Sequence, residues 1–212
     1  SDNMVLGDGS MKKVIMNRCM ELVRKYNTDK TENDFEIIQY GLEGLYLTVS
    51  KLIVIILLSI IFGIWKEVII FLFIYNIIRT PSFGLHATKS WICLLSSTCI
   101  FIGVPFLCTQ LVIPAEIKMT IGIICILFMF KNAPADTYKR PIVSKKRRLT
   151  YKLISTAVAI AMVIVAMVIE DQFISNSLLL ALVVQNFMIS PIVYHIFKLP
   201  YANYKHYVVD VA

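Results

Sequence analysis

Charged residues are scarce in this 212-residue chain, at 17% of the sequence against about a quarter in an ordinary soluble protein. Hydrophobic residues make up 58%, and the mean hydropathy is +0.72. A soluble fold of this length has too much surface for its volume to bury so many apolar side chains. A disordered chain is excluded for the opposite reason, because such chains are poor in apolar residues. The composition therefore predicts an integral membrane protein.

The sequence also lacks a metal-binding pattern and a secretory leader. Its five cysteines and three histidines form no Cys-x-x-Cys pair and no zinc-ligand spacing, so we expect reduced thiols and neither a metal nor another cofactor. Residues 14–40 carry charges every few positions and contain no apolar core of a signal peptide. Residues 1–10 are rich in Gly, Asp and Ser and precede a native-looking start at Met11, which predicts an added leader outside the fold.

Six apolar segments predict an all-α membrane domain at residues 42–197. A helix needs about 20 residues to cross the core of a bilayer, and the second and fourth segments have only 11 and 12. These two either borrow flanking residues or are re-entrant, and we favour six spans of which these two are short or irregular. The segments are residues 42–64, 68–78, 91–113, 119–130, 153–169 and 173–197.

Residues 11–41 are predicted to form one or two amphipathic helices on the membrane surface. Apolar side chains recur at helical spacing between Ile15 and Tyr26, with basic side chains on the other face. Thr31 with Asp34 three residues later is a weaker relative of the capping box, which indicates a second helix start.

The basic residues predict the orientation of the spans. With six spans and both termini in the cytoplasm, 18 of the 21 Lys and Arg residues fall on the cytoplasmic side. Five or seven spans would place a basic cluster outside. The topology thus accounts for the net charge of +7 without a nucleic-acid partner, and residues 198–212 become a cytoplasmic tail.

The loop at residues 79–93 carries the side chains of a cysteine enzyme. Arg79, His86 and Cys93 lie at seven-residue steps on the predicted cytoplasmic edge, and Gly84 helps to interrupt the helix. A histidine can take the proton of a thiol, and a helix N-capped by Ser90 would favour a thiolate at Cys93. Arg79 could bind a carboxylate or stabilise an oxyanion. Each residue alone is more often structural, so it is the combination that favours catalysis.

The spacing of the pair also constrains the backbone. Seven helical residues span about 10.5 Å, whereas a base must come within about 3 Å of the thiol. His86 therefore reaches Cys93 only if the chain folds back around residues 87–89 and the third span starts near Ser90.

A second informative segment is the basic loop at residues 131–152. It is interpreted either as a surface that contacts anionic lipid or as a docking surface for an acidic peptide. Asp136 could orient His86, pair with a neighbouring base or cap a turn. The candidate docking residues are Lys139, Arg140, Lys145, Lys146, Arg147 and Arg148.

The two segments together resemble the accessory gene regulator protein B (AgrB) family, the membrane cysteine endopeptidases of Gram-positive quorum sensing. The resemblance is carried by Arg79, Gly84, His86 and Cys93 at the family's spacing, and by the run Ala-Pro-Ala-Asp-Thr at 133–137 with Arg-Pro-Ile at 140–142. It extends over residues 11–212 through length and the six apolar segments. One departure is Phe83, where many members have a second glycine.

The resemblance implies a function and a set of partners. The substrate would be a small AgrD-like precursor peptide with an amphipathic helix, a central signal sequence and an acidic C-terminal tail. Cys93 would be the nucleophile and His86 its base, with Arg79 assisting. The tail would be removed through a thioester, and a thiol or hydroxyl of the peptide would then close a thiolactone or lactone ring. The resemblance also implies a homodimer in the bacterial plasma membrane, in contact with lipid.

Two other classes of function remain open. A small transporter or peptide exporter is suggested by Asn76, Gln185, Asn186 and the Ser190–Pro191 break, because polar groups inside a membrane domain can line a path. Against it, the last four segments hold no charged residue deep inside them, and no inverted repeat is evident. A scaffold without chemistry is the third interpretation.

Overall fold

The computed structural model describes residues 6–27, 31–85, 90–137 and 141–205, and every structural statement below concerns these residues. They form α-helices joined by short connections, together with one isolated parallel bridge between Phe83 and Ala135. The helices are α1 (Leu6–Tyr26), α2 (Glu32–Ile61), α3 (Trp65–Ser82), α4 (Ser90–Gln110), α5 (Ala115–Asn132), α6 (Lys145–Val168), α7 (Gln172–Ile189) and α8 (Pro191–Ile196).

Four of these helices contain stretches long and apolar enough to cross a membrane, as expected for a multi-pass membrane protein. The stretches are Asp34–Ile61, Ile92–Gln110, Lys145–Val168 and Gln172–Ile189. The short apolar segments predicted at 68–78 and 119–130 lie in α3 and α5, which are continuous helices of 18 residues each. Each takes in flanking residues, at 80–82 and at 115–118, and the crossing of the membrane by these two helices stays a prediction.

The chain forms two compact units, one up to Val54 and one from Ile55 onward. In the first unit, α1 includes part of the predicted leader, since it begins at Leu6. Thr31 and Asp34 form the predicted reciprocal cap: the Asp34 N–H donates to Thr31 Oγ1 at 3.3 Å, and the Thr31 N–H donates to Asp34 Oδ2 at 2.9 Å. The predicted second surface helix is not separate, because α2 runs unbroken from Glu32 to Ile61.

Helix α7 lies at the centre of the second unit, in contact with α3, α4, α5 and α6. It is the most thoroughly buried helix, and its Ala181 and Leu182 are fully enclosed. Bulky apolar side chains from α3 and α5, among them Phe71 and Met129, complete the core around it. The predicted break at Ser190 separates α7 from α8, and Pro191 is the first residue of α8, where its missing N–H costs no helical hydrogen bond.

Candidate functional site

The end of α3 is closed by the side chain of Arg79. Its guanidinium donates three hydrogen bonds to consecutive carbonyls: Nη1 to Phe83 at 2.7 Å, and Nη2 to Gly84 at 3.3 Å and Leu85 at 2.8 Å. The positive charge of Arg79 in the last helical turn is also stabilised by the negative end of the helix dipole. The sequence suggested that Arg79 binds a carboxylate or an oxyanion. In the described structure it holds the start of the 79–93 loop in a fixed shape.

The backbone after α3 takes two successive positive φ angles, 57° at Phe83 and 114° at Gly84. Glycine adopts such angles freely, whereas phenylalanine does so at a cost. Phe83 is the position at which the sequence departs from the family pattern, and it lies where a second glycine would fit without strain. Arg79 and its neighbours therefore stabilise a conformation that Phe83 alone disfavours.

The two motifs that carry the family resemblance are hydrogen-bonded to each other. The Gly84 N–H donates to the Ala135 carbonyl at 2.9 Å, and the Ala135 N–H donates to the Ser82 carbonyl at 3.1 Å. The Leu85 N–H donates to the carbonyl of Met188 in α7 at 3.0 Å. Residues 82–85 are thus fixed to the basic loop on one side and to the central helix on the other.

Gln185 of α7 adds a side-chain contact to this junction, which the sequence did not reveal. It is fully buried, and its Nε2 donates to Ser82 Oγ at 2.6 Å and to the Phe83 carbonyl at 2.7 Å. The Phe83 carbonyl therefore accepts from both Arg79 and Gln185. A glutamine inside an apolar segment does signal a buried polar partner, but the sequence pattern gave no indication that the partner lies at the end of α3.

Cys93 lies in the first turns of α4 and is half-buried. The described part of α4 starts at Ser90. Lys89 lies outside the described residues, so the predicted N-cap at Ser90 stays a prediction. His86 lies outside the described residues, and the predicted fold-back between His86 and Cys93 stays a prediction.

Asp136 is buried, with 3% of its surface exposed, and its carboxylate accepts backbone N–H groups from two segments. Oδ1 accepts from Asn203 at 3.0 Å, and Oδ2 accepts from Tyr204 at 2.8 Å and from Ile142 at 3.4 Å. The Tyr194 hydroxyl donates to the Asp136 carbonyl at 3.1 Å. Among the described residues, Asp136 therefore fastens the segment after α8 to the basic loop, a role that had no signal in the sequence.

Tyr201 lies in the same segment, and its ring packs against Tyr194 with centroids 5.2 Å apart. Burial raises the pKa of the Tyr201 hydroxyl, and the neighbouring Tyr204 and Asp136 raise it further. Tyr201 therefore stays protonated and neutral beside the Asp136 carboxylate.

The predicted docking residues divide into two groups. Lys145, Lys146 and Arg147 form the start of α6 and are exposed. Arg148 instead stacks on the Tyr204 ring, with its guanidinium carbon 3.6 Å from the ring centroid. Two further predicted docking residues, Lys139 and Arg140, lie outside the described residues.

The remaining cysteines differ in their surroundings. Cys108 and Cys125 are buried, Cys99 is exposed on α4, and Cys19 is half-buried on α1 in the first unit. The described part of the chain holds no group of three or more His, Cys, Asp or Glu side chains that could bind a metal ion.

Comparison with known proteins decides the family. The sequence profile of the family described as accessory gene regulator B matches residues 16–189. The chain belongs to this family.

Relatives with the same description cover most of the chain. An AgrB-like protein of Clostridium acetobutylicum is 30% identical over 196 residues, which is 91% of this chain and 94% of the relative. An AgrB-like protein of Listeria welshimeri is 29% identical over 188 residues, or 88% of this chain and 91% of the relative. A second AgrB-like protein, of Clostridium perfringens, is 36% identical over 124 residues, or 55% of this chain and 58% of the relative. No solved structure matches the chain.

Proposed function

We propose that the chain is a membrane cysteine endopeptidase that removes the acidic C-terminal tail of a small AgrD-like precursor peptide and closes the remaining segment into a ring. The product would be an autoinducing peptide of quorum sensing, of the kind that regulates virulence in some bacteria. The observation that carries this proposal is the hydrogen-bonded junction between the 79–93 loop and residues 133–142 in a chain of the AgrB family. Two segments far apart in sequence, both typical of the family, meet at one place at the end of α3.

The chemistry assigns each side chain a role. The thiolate of Cys93 attacks the carbonyl carbon at the cleavage site, the C–N bond breaks, and His86 passes the thiol's proton to the departing amine of the tail. A cysteine thiol or serine hydroxyl of the peptide then passes its proton to His86 and attacks the thioester carbonyl carbon. The C–S bond to Cys93 breaks, His86 returns the proton to the released thiolate, and a thiolactone or lactone is formed. Arg79 contributes by fixing the backbone just before His86, through its contacts with the carbonyls of residues 83–85.

The position of Cys93 suits this role. The positive end of the helix dipole at the start of α4 favours both a thiolate and a developing oxyanion. The hydrogen bond between Gly84 and Ala135 holds the basic loop against the end of α3. The acidic tail of a precursor would then meet Lys145, Lys146 and Arg147, all of them exposed.

The proposal includes a topology. Six spans with both termini in the cytoplasm put residues 79–93 and 131–152 on the inner face of the plasma membrane, where anionic lipid attracts basic side chains. In that arrangement α3 and α5 cross the membrane as well, at about 27 Å for 18 residues. The family resemblance adds a homodimer, which chemical crosslinking in native membranes would detect.

The test is co-expression of the chain with the precursor peptide encoded beside it, followed by mass spectrometry of the products. We expect a product that has lost the tail and whose mass is lower, by one water molecule, than that of the linear hydrolysis product. This mass difference identifies the ring. Cys93→Ala should abolish both changes. A variant with Ala or Ser at Cys19, Cys99, Cys108 and Cys125 is the matched control and should process the precursor. Processing by Cys93→Ala would overturn the assignment of the nucleophile.

The transporter hypothesis is weakened by the contacts of its key residues. Asn76 donates to the Leu72 carbonyl of its own helix, Asn186 donates to the Cys125 carbonyl, and Gln185 holds the junction already described. These side chains bind helices and loops together, which leaves fewer groups to line a path. Uptake of the peptide into vesicles that hold Cys93→Ala protein would revive the hypothesis.

A further inference from the structure

A cavity of about 400 Å³ lies between the end of α3 and the start of α6. Its size falls near the lower end of the range for ligand pockets, which is about 300–1,000 Å³. Its walls include Phe83 on one side and Ile142, Val143 and Tyr151 on the other, and Arg147 contributes to its lining.

The walls of the cavity are mainly apolar, and two aromatic rings in them are in contact. The Phe83 and Tyr151 rings meet edge to face, with centroids 5.0 Å apart and planes at 85°, an arrangement that aromatic pairs favour. The backbone of Phe83 is fixed by Arg79 and Gln185, which both donate to its carbonyl. One wall of the cavity is therefore part of the candidate catalytic loop itself.

The cavity also carries a charge that has no ion-pair partner among the described residues. Arg147 is exposed, and none of the described acidic side chains forms an ion pair with it. Its neighbours Lys145 and Lys146 are exposed as well. The combination of an apolar, aromatic cavity and a free guanidinium fits a ligand that presents an apolar side chain next to a carboxylate.

We propose that this cavity is a specificity pocket that binds an apolar side chain in the acidic tail of the precursor peptide, while Arg147 pairs with a carboxylate adjacent to it in the peptide. The inference rests on the proposed function, because it takes the occupant to be that peptide. A peptide is favoured over a lipid since Phe83 belongs to the loop that begins at Arg79, so the pocket opens beside the loop on which cleavage depends. The pocket would then select the peptide and place its cleavage site.

Binding rather than cleavage gives the direct test. The full chain with Cys93→Ala is placed in zwitterionic lipid nanodiscs, and the affinity of a fluorescein-labelled peptide copying the precursor tail is measured. Val143→Trp fills the cavity and should weaken binding about tenfold or more, the size of effect seen at the centre of an interface. Leu149→Trp adds the same ring at an exposed apolar position of α6 outside the cavity and should leave the affinity unchanged.

A charge exchange tests the role of Arg147. Arg147→Glu should weaken binding of the same peptide, and a peptide in which Lys replaces the acid beside the apolar residue should recover affinity for this variant alone. Lys205→Glu, an equal charge change at an exposed site outside the cavity, should not recover the Lys peptide. Recovery by both variants would mean that Arg147 acts only through overall charge and would overturn the pairing.

The outcomes separate this inference from the proposed function. Unchanged affinity in Val143→Trp, with Cys93 still required for processing in cells, would refute the pocket and leave the endopeptidase standing. Normal processing by Cys93→Ala would refute the enzyme, whereas the binding results would stand on their own. The same measurement in nanodiscs of anionic phosphatidylglycerol tests for a lipid occupant. If this lipid displaces the peptide from the wild-type protein but not from Val143→Trp, the cavity holds lipid and the proposal fails.

Discussion

The guanidinium of Arg79 occupies the space that a side chain on Gly84 would need. A β-carbon built on Gly84 would lie 2.5 Å from Arg79 Nη1 and 3.0 Å from the Met188 carbonyl oxygen, and the φ of Gly84 is +114°. Glycine is therefore required here for two independent reasons, the backbone angle and the close approach of a charged group. Arg79 and Gly84, both singled out in the sequence, therefore act as one structural unit.

Gly84→Ala should consequently disrupt the loop. Strain at such a φ costs about 1–3 kcal/mol, and displacement of Arg79 adds to it, so we expect strong loss of precursor processing and a lower midpoint of thermal unfolding. Gly103→Ala is the control, because a β-carbon at Gly103 in α4 meets nothing within 4 Å. Equal processing by the two alanine variants would show that the loop does not need the observed geometry.

Arg79→Lys should fail to replace arginine although the charge is kept. One ammonium cannot reach the three carbonyls that the planar guanidinium contacts, and each hydrogen bond from a charged group contributes about 1.5–3 kcal/mol. We expect processing to fall at least about tenfold, measured as the rate of tail release. Arg18→Lys on the exposed surface of α1 provides the comparison and should process normally. Full activity of Arg79→Lys would mean that only charge matters at this position.

The helices were predictable because each depends on local composition. The apolar run at 91–113 became α4, with ends shifted by one and three residues, whereas the run at 153–169 marked only the later part of α6, which begins eight residues earlier at Lys145. The 68–78 run marked only the apolar part of α3, whose ends carry charged residues such as Arg79 that still favour helix. Hydropathy counts side chains that prefer lipid, so it underestimates a helix that is packed among others or that ends in water.

The contacts between distant segments were not predictable in the same way. Asp136 was recognised as unusual, but its partners are the backbone N–H groups of Ile142, Asn203 and Tyr204, and backbone groups leave no mark in a sequence. Gln185 similarly indicated a buried polar contact, but the sequence did not show that its partners are Ser82 and Phe83. The sequence thus located chemically unusual residues, and only the fold determined which of them act on each other.

Gln185→Leu should separate positioning from binding. The substitution keeps the side-chain volume similar but removes the donor to Ser82 and to the Phe83 carbonyl, so the loop loses one of its two side-chain anchors. We expect kcat for tail removal to fall while KM for the precursor stays close to the wild-type value. Gln110→Leu, at the exposed end of α4, should change neither constant. A rise in KM alone would show that Gln185 serves precursor binding rather than loop geometry.

Asp136→Asn should release the segment that follows α8. The amide places an N–H₂ group against one of the backbone N–H groups that the carboxylate now accepts, and it removes the charge that strengthens all three hydrogen bonds. Loss of these bonds corresponds to about 1–3 kcal/mol, so limited trypsin digestion should cut faster after Lys198 and Lys205, and the unfolding midpoint should fall. Glu170→Gln, an exposed acid in the connection between α6 and α7, is the control and should leave the digestion pattern unchanged.

Because the Ala135 backbone beside Asp136 is hydrogen-bonded to Ser82 and Gly84, a loosened segment should also slow processing. Faster digestion without slower processing would show that this segment stabilises the fold without shaping the catalytic loop.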